Sequence, residues 1–474
     1  MTSTLTPQAQ PAVRSLDPAA VSALAALLRG HVFTPDTPGY DQARTIWNAM
    51  IDKRPAVIAQ CASAADVQHA VKFAREQGLE IAVKGGGHNI AGSALVDGGL
   101  VLDLSGMKSV RVDPARRTAV VEPGVTLGEF DHDVQAFGLA TPVGINSTTG
   151  IAGLTLGGGF GWLSRTYGMT VDNLRSADVV TASGEFVRAS EHENADLFWG
   201  LRGGGGNFGI VTAFEFGLHP VGPQVMAGLI VHPFADANAL LRRYREVSLA
   251  APKELSAWVV MRKAPPLPFL PADVHGTEVV VIAVLYSGDM QAGERAIAPL
   301  RAIGKPIADV VSPHPYAGFQ AAFDPLLAPG ARNYWKTHDF APLGDDALDI
   351  AIDAARHLPG PQCEVFLAQM GGAVRDTAED ATAYSGRNAD WIANVHARWT
   401  DAAEDEQCIG WARRLFKDLT PHATGNAYVN FMTQDEGARV EAAYGSHYGR
   451  LAALKKKYDP SNVLRTNQNI VPAA

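Results

Sequence analysis

The segment Val83-Lys84-Gly85-Gly86-Gly87-His88-Asn89-Ile90-Ala91-Gly92 puts three consecutive glycines and a histidine directly after an apolar run. Consecutive backbone N–H groups in such a turn can form an anion-binding nest. His88 projects from that turn, where a lone histidine can equally be a solvated or capping side chain. A second stretch runs Gly144-Ile145-Asn146-Ser147-Thr148-Thr149-Gly150, then Gly153 and Leu154, then Gly157-Gly158-Gly159-Phe160-Gly161-Trp162. Hydroxyls of Ser147, Thr148 and Thr149 beside bare backbone suit phosphate or ribityl oxygens. The bland reading is a bent turn that packs helix against sheet. A third cluster, Gly203 to Gly209, leads into Ile210 and Val211. Gly204, Gly206 and Gly209 match G-x-G-x-x-G, but a helical pattern precedes them and a strand follows. The dinucleotide fingerprint needs strand then helix, so that phosphate meets a helix N-terminus. The reversed order argues against a conventional NAD site, and no G-x-x-x-x-G-K-[ST] exists for a P-loop. Together the clusters suggest one large polyphosphate cofactor wrapped by three loops.

The elements that must hold these loops are legible as short strands alternating with helices. Strands are expected at 56–61, 80–84, 100–103, 109–112, 118–122, 176–181 and 210–216. Ser63 to Asp66 and Thr126 to Glu129 open helices in capping-box fashion, and Gly78 stops the first. A further helix is expected at 193–201. Beyond Pro220 the glycine share becomes ordinary, 14 in residues 221–424. Longer apolar strands at 226–232, 256–261, 278–286 and 364–370 alternate there with helical patterns at 237–249, 291–303, 344–357 and 403–418. That pattern fits antiparallel strands covered on one face by helices. A last strand at 426–431 and a helix at 437–458 close the chain. The fold class is α+β, divided into a tail and helix at 1–44, a first domain at 45–220, a second at 221–424 and a returning segment at 425–474. Residues 1–14 read as a loose tail. Asp17 and Pro18 read as the cap and first turn of a helix, which argues against a signal peptide over 19–28.

Composition narrows the function classes. The chain has 474 residues, is 47% hydrophobic and 19% charged, and carries a formal charge of −9. A net-negative surface argues against nucleic acid and against a polybasic membrane contact. The basic run Lys455–Lys457 reads as the solvated end of a helix, complementing its dipole. No apolar run reaches spanning length. Glycine is the unusual number, 47 residues, and 19 of them fall in the 47 positions of the three clusters. Cys61, Cys363 and Cys408 have no C-x-x-C spacing, which excludes a zinc ribbon or disulfide framework. They read as buried thiols in a reducing compartment, the cytoplasm. No metal site is expected.

The order GGGHN, then STTGIAGLTLGGGFGWLSRTYG, then VDN, then RGGGGNFGIVTAFEF resembles the vanillyl-alcohol-oxidase (PCMH-type) superfamily of FAD enzymes. The tail YDPSNVLRTNQNI resembles its berberine-bridge-enzyme-like, 6-hydroxy-D-nicotine-oxidase-like branch. The resemblance spans residues 45–220 and 425–474, and the middle more loosely. It implies a two-subdomain domain binding extended FAD and a substrate domain over the flavin ring. Lys84, Gly85, Gly86, Gly87, His88, Asn89 and Gly92 would form the first wall. Gly144, Asn146, Ser147, Thr148, Thr149, Gly150, Gly153, Leu154, Gly158, Gly159, Gly161 and Trp162 would form the second. Gly209, Ile210 and Val211 would form the third, closed by Asn467 and Gln468 from the tail. His88 matches the histidine that carries the flavin 8α-methyl carbon. Bicovalent members add a cysteine where Asn146 stands, so one covalent link is expected. Leu154 stands where plant-type members have a histidine.

The resemblance implies hydride transfer from an alcohol, sugar-like hydroxyl or amine to FAD, with dioxygen or another acceptor reoxidising it. Tyr428 and Asn430 alternate in AYVNF, and Tyr428 is the first candidate for base or proton relay; a Tyr that only packs over the cofactor is as good a reading. Asn430 would orient flavin or substrate. Gln369 is expected to floor the second domain's cavity, and Glu364 shares its face only across a bulge. Tyr384 and Arg387 read as pocket lining, Trp391 and Trp399 as lining or core. The alternatives are a noncovalent-FAD reductase of the same superfamily and a flavin-binding protein without turnover.

Overall fold

The computed structural model describes residues 16–474; the tail expected at 1–14 lies outside the described residues. Asp17 caps the first helix, Pro18–Leu27, by accepting from the Ala19 N–H at 3.0 Å. Ser63 and Thr126 cap Ala64–Glu76 and Leu127–Gln135, the latter with the reciprocal Glu129 bond of a capping box. Val67, Ala70, Val71 and Ala74 recur at helical spacing, and all pack against strand residues such as Val57, Ile81 and Leu102. Those strands make a four-stranded sheet in the order His31–Phe33, Val57–Gln60, Leu100–Asp103, Ile81–Lys84, parallel except for its first pair. A five-stranded antiparallel sheet follows, ordered Val110–Asp113, Thr118–Val121, Ile210–Gly217, Leu174–Val180, Phe186–Ser190. Apart from His31–Phe33, which comes from the segment read as tail and helix, both sheets are built from residues 45–220.

The second domain is built on one antiparallel sheet, ordered Ala308–Asp309, Gln224–Pro233, Glu278–Tyr286, Leu255–Lys263, Glu364–Gln369, Trp391–Trp399, Arg332–Phe340. Ser312–Pro315 adds to its edge. Period-two alternation divides its faces. Ala257, Val259, Val365, Leu367, Ala393 and Val395 point into a core covered by Ala237–Leu249, Asp345–Ala355 and Asp405–Leu419. The opposite face carries Trp258, Phe366, Asn394 and His396 toward the first domain. The α+β class holds, with helices on one face of the second sheet. Four strands here were not expected from the sequence, the long Arg332–Phe340 and Trp391–Trp399 and the short Ala308–Asp309 and Ser312–Pro315.

The C-terminal segment departs from expectation. Residues 426–431 form no strand: Val429–Phe431 is a single 3-10 turn with no ladder partner among the described residues. Side-chain bonds fix it instead, as Asn430 Nδ2 donates to the Leu154 carbonyl at 3.1 Å. The helix expected over 437–458 breaks into Val440–Tyr444 and Tyr448–Tyr458, because Gly445 takes a left-handed φ of 51° between them. Lys455 is not solvated. Its ammonium is buried and donates to the carbonyls of Asn207 and Leu464 at 2.8 Å, with Asp459 at 2.7 Å. The Lys455 bond to the Asn207 carbonyl and the Asn207 side chain, which accepts from the Ile470 N–H at 3.0 Å, bind the tail to the third glycine cluster. No helix among the described residues is long and apolar enough to cross a membrane.

Candidate active site

The three glycine clusters, the second-domain sheet face and the returning tail enclose one cleft. Its atom-free space is about 2020 Å³, part of it open to solvent. Gly85, Gly86, Gly87, His88 and Asn89 form one wall. Gly144, Asn146, Thr149, Gly150, Gly153 and Leu154 form the next, and Gly209, Ile210 and Val211 the third. Tyr428, Asn430, Asn467 and Gln468 reach it from the C-terminal segment. Glycine is needed where the first two walls meet, since a Cβ on Gly86 would run into the backbone of Gly150. A Cβ on Gly153 or Gly206 would meet no protein atom within 4 Å, so the space before these glycines belongs to the cleft.

Several expected contacts stand elsewhere. Lys84 donates to the Ala43 carbonyl at 2.7 Å and pairs with Asp103 at 3.3 Å, outside the lining. Ser147 is held by Asp324, through its N–H at 2.9 Å and its hydroxyl. The Gly92 carbonyl accepts from Lys53 at 2.9 Å. Gly158, Gly159 and Gly161 form the turn behind the wall, where the Gly159 carbonyl accepts from the Thr170 N–H at 2.8 Å. Trp162 stacks on Trp258 at 4.1 Å within a buried aromatic cluster. Thr148 lies outside the lining but bonds to His88. Gln369 faces the helices, where its amide donates to the Ser248 carbonyl. The strand has no bulge in its pairing, so the even positions Glu364 and Phe366 face the cleft and the odd Gln369 faces away. Arg387 is buried in a pair with Asp172 at 2.6 Å, and Tyr384 is buried beside Gly158 and Gly203. Neither lines the cleft. Trp391 and Trp399 belong to the second-domain core.

His88 is held from three sides. Thr148 Oγ1 is 2.9 Å from Nε2, Thr149 Oγ1 is 3.4 Å from Nδ1, and the ring stacks on Trp47 at 4.9 Å. Asn146 sits behind, its Oδ1 accepting from the Thr148 hydroxyl at 2.7 Å. Burial, and then the Arg398 charge, push the imidazole down to about 4. His88 is therefore neutral at pH 7, and one of its ring nitrogens carries a lone pair. Trp47 is carried by a loop tied to the second domain, its indole donating to the Leu327 carbonyl at 2.8 Å.

Tyr428 packs edge-on to Phe160 and Phe431, both at 4.9 Å, and Asn430 donates to its hydroxyl at 2.9 Å. Burial raises this phenol to about 12 against the opposing bonds from Asn430 and the Gly159 backbone. Its resting form is protonated.

Facing them across the cleft is a group that the sequence reading missed. His396 Nδ1 is 3.2 Å from Glu364 Oε1, and Arg262 is 2.9 Å from Glu364 Oε2. Burial pushes Glu364 up, but Arg262, His396 and Arg398 outweigh it and hold the carboxylate low. Trp335, on the next strand, meets His396 at 4.6 Å. The signal was present in WIANVHARW, where Asn394, His396 and Arg398 alternate with apolar residues.

The residues fit the FAD that the resemblance implies. The cleft combines bare backbone walls, a neutral histidine and a tail that closes over it. Five buried polar atoms along its lining, Trp258 Nε1, Trp335 Nε1, Asn394 Nδ2, His396 Nε2 and Asn467 Oδ1, have no hydrogen-bond partner among the described residues. Unpaired buried polar atoms are costly unless a ligand or water satisfies them.

Comparison with known proteins agrees. Residues 55–190 match the family described as FAD binding domain, and residues 427–471 the family described as berberine and berberine like. An FAD-linked oxidoreductase of Dictyostelium discoideum is 34% identical over 453 residues, covering 94% of this chain and 95% of that one. The (R)-6-hydroxynicotine oxidase of Paenarthrobacter nicotinovorans is 33% identical over 460 residues, covering 94% and 97%. The crystal structure of 6-hydroxy-D-nicotine oxidase from Arthrobacter nicotinovorans matches with a TM-score of 0.86 and 30% identity, over 94% of this chain and 98% of that one. With its FAD-binding domain, its berberine-like C-terminal segment and relatives matched along almost their whole length, the chain belongs to the FAD-linked oxidoreductases.

Proposed function

We propose that this protein is an oxidase that removes two electrons from a hydroxyl- or amine-bearing small molecule, using FAD attached through His88. When bound, FAD accepts hydride from the substrate carbon. The observation that carries the reading is His88 itself: a neutral imidazole on a glycine wall, held by Thr148, Thr149 and Trp47. A neutral ring has the lone pair that a bond to the flavin 8α-methyl carbon requires. Asn146 supplies no thiol, which supports a single link. The aromatic and polar second-domain face suits a small organic substrate lying over the flavin ring. The free, buried thiols Cys61, Cys363 and Cys408 support a reducing compartment such as the cytoplasm.

Anaerobic mixing of the purified yellow protein with a panel of alcohols, sugars and amines tests the reading. At least one should bleach the flavin, with peroxide released when air is admitted. Bleaching by a reduced nicotinamide alone would make the protein a reductase, and bleaching by neither would make it a carrier without turnover.

A further inference from the structure

The second-domain half of the cleft contains a proton-accepting pair. His396 and Glu364 are register partners on adjacent strands, and both face the cleft. A carboxylate only accepts hydrogen bonds, so the hydrogen in the 3.2 Å contact sits on His396 Nδ1. In the neutral ring, Nε2 then keeps its lone pair. That nitrogen is buried and has no partner among the described residues, with the side chain 6% exposed. Asn394 is two positions away on the same strand face, and its Nδ2 is also buried without a partner. Two adjacent unsatisfied polar groups on one wall mark where a polar ligand atom belongs. Arg262 holds the far oxygen of Glu364, which keeps the carboxylate charged and aimed at the imidazole. A base held in place by a third group is a recurring arrangement where a histidine takes a proton.

We propose that His396 is the general base that takes the proton from the substrate's hydroxyl or amine, that Glu364 is the positioning residue behind it, and that Asn394 donates a hydrogen bond to the substrate. The assignment rests on the oxidase reading above. The substrate O–H or N–H bond breaks and its proton passes to His396 Nε2. That bond's electron pair becomes the new C=O or C=N bond as the adjacent carbon gives up hydride to the cofactor. Four influences act on this imidazole. Burial lowers its affinity for a proton and is the largest, Glu364 raises it, and Arg398 and Arg262 lower it. The result is a ring that is neutral before the step, with a carboxylate beside it to stabilise the imidazolium afterwards.

NMR of the ¹⁵N-histidine-labelled holoenzyme at pH 7 tests the pair without any substrate, with His396→Gln identifying the resonances. The expected state is a neutral ring protonated on Nδ1 and bare on Nε2. An imidazolium, or a proton on Nε2, overturns the proposal. Glu364→Gln should move the His396 titration to lower pH, because it removes the one charge that favours the imidazolium. An unmoved titration removes Glu364 from its role. With whichever panel compound bleaches the flavin, His396→Gln should slow reduction by about 10²- to 10⁴-fold while the protein stays folded and yellow. Reduction at the parental rate in that variant would contradict the assignment. A panel that bleaches nothing would count against the oxidase reading while the NMR result stood on its own.

Discussion

At the scale of single residues, chemistry depends on which groups can change charge near pH 7. Tyr428 illustrates the limit of reading that from sequence. Its position beside Asn430 was legible, but its burial between Phe160 and Phe431 was not, and burial is what holds the phenol protonated up to about 12. Tyr428→Phe removes the bonds that the hydroxyl makes with Asn430 and with the Gly159 backbone, neutral interactions worth about 0.5–1.5 kcal/mol each. Stopped-flow flavin reduction in this variant should slow by no more than about tenfold, with the rate–pH profile unchanged. A loss of about 10²-fold or more together with a vanished pH limb would return the base role to Tyr428. His88 was legible because it ends a run of three glycines. His396 was passed over because its pairing with Glu364 exists only after two strands, 32 residues apart in sequence, lie side by side. Arg387 shows the opposite error: a charged side chain read as lining is a buried structural partner of Asp172.

At the scale of elements, capping and periodicity carried most of the information. The helices opened by Ser63 and Thr126 start where their caps place them, since each cap satisfies an N–H that would otherwise be unpaired. The segment 426–431 misled because alternating residues suggest a strand only when a neighbouring edge can pair with it. None is there among the described residues, and Asn430 bonds to Leu154 instead. The contact between Leu127–Gln135 of the first domain and Tyr316–Gln320 of the second turns on Asp131, whose Oδ2 accepts from Gln320 Nε2 at 3.0 Å. Its Oδ1 has no partner among the described residues. Burial raises this carboxyl to about 7 against the Gln320 bond. The folded protein thus holds a proton there that the unfolded chain releases near pH 4. Stability from this site falls as pH rises from about 4 to 7 and then levels off. Asp131→Asn should therefore melt above the parent by a margin that widens over that range. A margin constant with pH, by calorimetry, would show that Asp131 is ionised in the native state.

At the scale of the molecule, the cleft exists because segments far apart in the chain converge. Three glycine clusters, one face of the second-domain sheet and the last few residues each give one wall. The glycine excess announced the first three, because closely approaching backbones exclude Cβ atoms. The sheet face was hidden, because its register depends on the strands Arg332–Phe340 and Trp391–Trp399. The tail was legible by resemblance, but its anchorage was not. Lys455 looked like a solvent-exposed cation and instead fastens the C-terminal segment from inside. In the proposed function all these walls converge on an FAD attached at His88. The most direct test is to denature the holoprotein in acid, pellet it, digest it and weigh the peptide containing His88. The account predicts a yellow pellet and a His88 peptide heavier by one FAD. A colourless pellet, an unmodified peptide and all the flavin in the supernatant would contradict it.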